Sequence, residues 1–129
     1  MTREEWAKLS AEEKRIKVAE FCGWKRKPPD SNGICWWIHP TEGSHKSGPI
    51  RAPYYLTDVP NYPQDLNAMH EAEKMLGTLV CEYVRQLYKI TTGSSDVSPA
   101  CDRLDIAAIL HATAAQRAEA FVLTMSEAD

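Results

Sequence analysis

The residues best suited to chemistry fall in three groups. The first is Asn67, His70 and Glu71, in the stretch DLNAMHEAE. A histidine beside a carboxylate can exchange protons with a substrate. Neighbours on a helix point about 100° apart, however, and this group lies opposite the apolar positions Leu66, Met69, Ala72 and Leu76. A solvated helix face explains the pattern without catalysis, and contact with a ligand is the intermediate reading for Asn67 and His70.

The second group is Thr113 and Arg117 in HATAAQR. Threonine followed three residues later by glutamine starts a helix. A helix start offers free N–H groups and the positive dipole end to anions, and arginine adds a planar fork that matches phosphate. Thr113 and Arg117 are therefore candidates for holding a phosphate. The competing reading pairs Arg117 with an acid inside the fold, such as Glu71.

The third group is aromatic and basic: Trp24, Trp36, Trp37, Tyr54, Tyr55 and Tyr62 alternate with Arg26 and Arg51. Rings stack on nucleobases while cations hold phosphates. From this set Arg26, Trp37, Arg51, Tyr54 and Tyr55 are the candidate ligand contacts; the same rings would also serve as core. Zinc can be drawn between Cys22, Cys35, His39 and His45, but that spacing belongs to no common zinc module. The four cysteines contain no CxxC pair and read as reduced thiols. The chain has no GxSxG, HExxH, Walker or GxGxxG motif. No catalytic residue, metal or cofactor is assigned.

The elements that must position these residues follow from pattern. The 129 residues fit one domain spanning 1–129. Ser10 and Glu13 form a capping box that opens a helix over about 11–22, closed by Gly23, with a short helical turn before it at 3–8. Residues 24–27 and ICWWIH, 34–39, flank the turn PPDSNG, which predicts a β-hairpin over about 24–39. Adjacent Trp36 and Trp37 then point to opposite faces of the sheet. Residues 40–62 form a long loop rich in proline and tyrosine. Helices are expected over about 63–76, with Pro63 in the first turn, then 79–89 after a break at Gly77-Thr78, and 114–125. LDIAAIL, 104–110, suits strand or helix; the capping box that follows favours a short buried strand. The fold class is α+β, with a small, mainly antiparallel sheet and helices.

Net charge is −3, but residues 23–53 carry Lys25, Arg26, Lys27, Lys46 and Arg51 against Asp30 and Glu42, or +3. A basic segment on an acidic protein suits a small anionic ligand better than a long duplex. No apolar run approaches the ~20 residues of a membrane span, and MTREEWAKLSAEEKR holds no apolar signal segment. A cytoplasmic location is expected.

AEFCGWK (19–25), the tryptophan pair (36–37), YPQDLNAMHEAEK (62–74) and HATAAQRAEAF (111–121) together resemble the phage ABA sandwich domain family of small phage and prophage proteins. The resemblance covers most of the chain outside residues 40–60 and 77–103. It implies a sheet sandwiched between helices, which would let both tryptophans be buried, and a phage origin. It implies no reaction. The leading functional expectation is a non-enzymatic sponge, a homo-oligomer in the host bacterial cytosol, that sequesters a small nucleotide-derived immune messenger. The alternatives are a module that inhibits a host protein, or a nucleotide hydrolase using His70 and Glu71.

Overall fold

The computed structural model describes residues 1–26, 37–38, 40, 59–93 and 109–128. Helix α1 spans Arg3–Lys8 and α2 spans Ala11–Phe21. Each begins with a complete capping box: Thr2 with Glu5, and Ser10 with Glu13. Two backbone donors are satisfied at each start, which is why two helices can follow one another across only Leu9 and Ser10. Helix α2 stops at Gly23, whose φ of +95° favours glycine. A Cβ on Gly23 would also sit 3.2 Å from the Pro40 ring, so the position needs glycine twice over.

Strands β1 (Lys25–Arg26) and β2 (Trp37–Ile38) pair antiparallel, Lys25 opposite Ile38 and Arg26 opposite Trp37. The hairpin is therefore present with the expected direction. The stacking role expected of Trp37 is corrected: its ring is 3% exposed and lies in the core, where it joins Trp24. Burial of so large an apolar surface outweighs the gain from leaving it open to a ligand. Trp36 lies outside the described residues.

Tyr62–Gln64 forms a 3₁₀ turn, and helix α3 runs Leu66–Glu73. Its start is set by Asp65, whose carboxylate accepts from the Ala68 N–H at 3.2 Å, rather than by Pro63. A second 3₁₀ stretch, Lys74–Leu79, is broken at Gly77 (φ 54°, ψ −121°), a backbone shape that residues with a Cβ rarely adopt. Helix α4 (Val80–Thr92) follows and ends in Gly93 at φ 70°, whose N–H reaches the Lys89 carbonyl.

Ile109 and Leu110 are helical, so the strand expected at 104–110 is corrected over those two residues; 104–108 lie outside the described residues. Thr113 and Gln116 form their reciprocal cap, with Thr113 N–H to Gln116 Oε1 at 2.9 Å and Gln116 N–H to Thr113 Oγ1 at 3.2 Å. Helix α5 then runs Ala114–Ala128.

Helix α5 is the centre of the core. Ala118, Ala120, Phe121, Val122 and Leu123 are buried on it, against Val18 of α2, Met69 of α3 and Leu87 of α4. Phe21 meets Phe121 edge-on, at 6.5 Å and 80°. Thr124 tolerates burial because its hydroxyl donates to the Ala120 carbonyl at 2.8 Å. Among the described residues the molecule is mostly helical with a small two-stranded antiparallel sheet, a loosely α+β fold. No described helix is long and apolar enough to cross a membrane.

Candidate functional site

Two arrangements bring polar side chains together. The first centres on Glu73, the last residue of α3. Its Oε1 accepts from the Tyr83 hydroxyl of α4 at 2.8 Å and from Arg117 Nη1 of α5 at 3.0 Å. Its Oε2 lies 3.6 Å from His70 Nδ1, one helical turn back. One carboxylate thus ties three helices.

Arg117 is held on every arm. Besides Glu73, its Nε donates to the Ala112 carbonyl at 3.3 Å and its Nη2 to the Ile109 carbonyl at 3.0 Å. Its side chain is 9% exposed. This corrects the phosphate-binding expectation for Arg117: the fork fastens the turn before α5 to α3 instead of facing a ligand. The acid it meets is Glu73, not Glu71, which pairs with Lys74 on the surface at 2.9 Å. A guanidinium this buried needs a carboxylate partner, and Glu73 lies nearer than Glu71 to the α3 face that buries Met69 and Ala72. Burial and the adjacent Glu73 charge raise the Tyr83 hydroxyl above its ordinary range, so it stays a neutral donor.

Of the other candidates, Asn67 and His70 are exposed on α3. The His70–Glu71 pairing considered for acid–base chemistry is replaced by proximity to Glu73, itself committed to Arg117 and Tyr83. Thr113 is exposed, with its oxygen engaged in the α5 cap. Arg26 is exposed on β1, as is Lys25. Arg51, Tyr54 and Tyr55 lie outside the described residues.

The hairpin that carries Arg26 is rooted in a buried polar chain. Trp24 Nε1 donates to the Tyr62 hydroxyl at 3.2 Å. Tyr62 in turn hydrogen-bonds the thiol of Cys22; burial pushes that thiol up to about 11, and the Tyr62 hydrogen bond partly offsets the rise. Burial, followed by the nearby Cys22, likewise raises Tyr62. These groups are neutral fillers of the core, not nucleophiles. Among the described residues no group of three or more His, Cys, Asp or Glu side chains is placed to hold a metal ion.

The second arrangement went unread in the sequence. An open groove of about 610 Å³ runs between α1, the start of α2 and the first turns of α5, lined by Arg3, Trp6, Lys14, Gln116 and Glu119 among others. Arg3 Nε pairs with Glu119 at 2.7 Å, and Lys14 sits 5.5 Å over the Trp6 ring. The signal available was Trp6, an aromatic residue amid charges in a short helix; the α5 wall of the groove is distant in sequence, with Arg3 and Glu119 separated by 116 positions.

No family model matches the chain, and no curated protein and no solved structure matches it.

Proposed function

We propose that this chain is a non-enzymatic binding protein for a small anionic, nucleotide-derived ligand. The observation that carries the reading is the hairpin. Trp24 and Trp37 anchor it in the core, while Lys25 and Arg26 between them are exposed. A rigid root with cations at the surface lowers the ordering cost of holding an anion. The surrounding sequence, residues 23–53, adds Lys27, Lys46 and Arg51, and Tyr54 and Tyr55 follow directly as rings for a base. Asn67, His70 and Thr113 are exposed polar groups that complete the candidate contacts.

The sequestering role, a sponge for the nucleotide messengers of bacterial immunity, rests on the resemblance to the phage ABA sandwich domain family. The same resemblance supports a host cytosolic setting and a sheet covered by helices. A homo-oligomer would give such a sponge pockets shared between subunits. Long nucleic acid and membrane are not its partners in this reading, because the net charge is −3.

The test is isothermal titration of the purified chain with cyclic dinucleotides, cyclic trinucleotides, cyclic ADP-ribose isomers and mononucleotides, repeated with Arg26→Glu. Binding by the parent chain, weakened tenfold or more by Arg26→Glu, supports the reading. Equal affinity in the two chains removes the hairpin from the site.

One observation favours a second reading, a module that inhibits a host protein. Leu66, Met75, Val80 and Leu110 are 43–69% exposed, and exposed apolar side chains that adjoin one another mark protein contact surfaces. Loss of a captured partner on Met75→Glu and Val80→Glu, with nucleotide binding absent, would favour it.

A further inference from the structure

We draw no further inference here: the strongest candidate, the open groove between α1 and the first turns of α5, lines its Arg3 and Lys14 cations with the acids Glu4 and Glu119 in equal number, and nothing in the structure shows what covers it.

Discussion

At the scale of single residues, Arg117 shows how one side chain can fit two roles until its surroundings are known. Its place in the first turn of a helix suits an anion site, yet three hydrogen bonds commit it to Glu73, Ile109 and Ala112. Arg117→Met should therefore destabilise the fold by about 3–5 kcal/mol, because the Glu73 charge and two carbonyls lose their partner. Urea denaturation measures this; a change under about 1 kcal/mol would show that the pair contributes little. The alkaline limb reads a second residue. Cys22 ionises at about 11 in the fold against an ordinary 9.0. The neutral thiol is favoured by the native state, so its contribution is whole below pH 9.0 and is lost as pH rises toward about 11. Cys22→Ala should flatten the decline of melting temperature across that window; an unchanged slope would assign the decline to the tyrosines. The pairing of Arg117 with an acid was legible in the sequence, but its partner was not. Glu71 and Glu73 differ only in angle about α3, and which angle faces α5 is a tertiary fact.

At the scale of elements, local signals were read well where the backbone itself needs them. The boxes Ser10–Glu13 and Thr113–Gln116 start α2 and α5 as their types require, and Gly23 ends α2. The hairpin and the break at Gly77 were also legible, since glycine and turn residues act through nearest neighbours. Ile109 and Leu110 were not, because a short apolar run has no period long enough to separate strand from helix. Trp37 was assigned to a ligand from its type, whereas its burial depends on contacts distant in sequence. The Gly77 corner supplies a direct test. Gly77→Ala should cost about 1–3 kcal/mol from backbone strain alone, since among the described residues nothing beyond its own stretch of chain lies within 4 Å of the added Cβ. Differential scanning calorimetry reads the loss; an unchanged or raised melting temperature would mean that the corner relaxes into continuous helix.

At the scale of the whole molecule, Glu73, the carboxylate nearest His70 in the fold, is used to hold helices together, while the basic strand stands exposed on a buried root. That division favours binding over turnover. The parent chain and His70→Ala should accordingly both leave every nucleotide chemically unchanged when mixtures are chromatographed after long incubation; turnover by the parent that His70→Ala abolishes would establish an enzyme. The measurement closest to the central claim is a thermal-shift panel of cyclic dinucleotides, cyclic trinucleotides, cyclic ADP-ribose isomers and mononucleotides, with the ligand then released by heat and chromatographed. Ligand held at about 100 times its Kd stabilises the native state by about 2.7 kcal/mol. The account predicts a rise of several degrees with one class of anionic nucleotide, returned intact. No rise with any of them, or a rise with altered ligand, would contradict it.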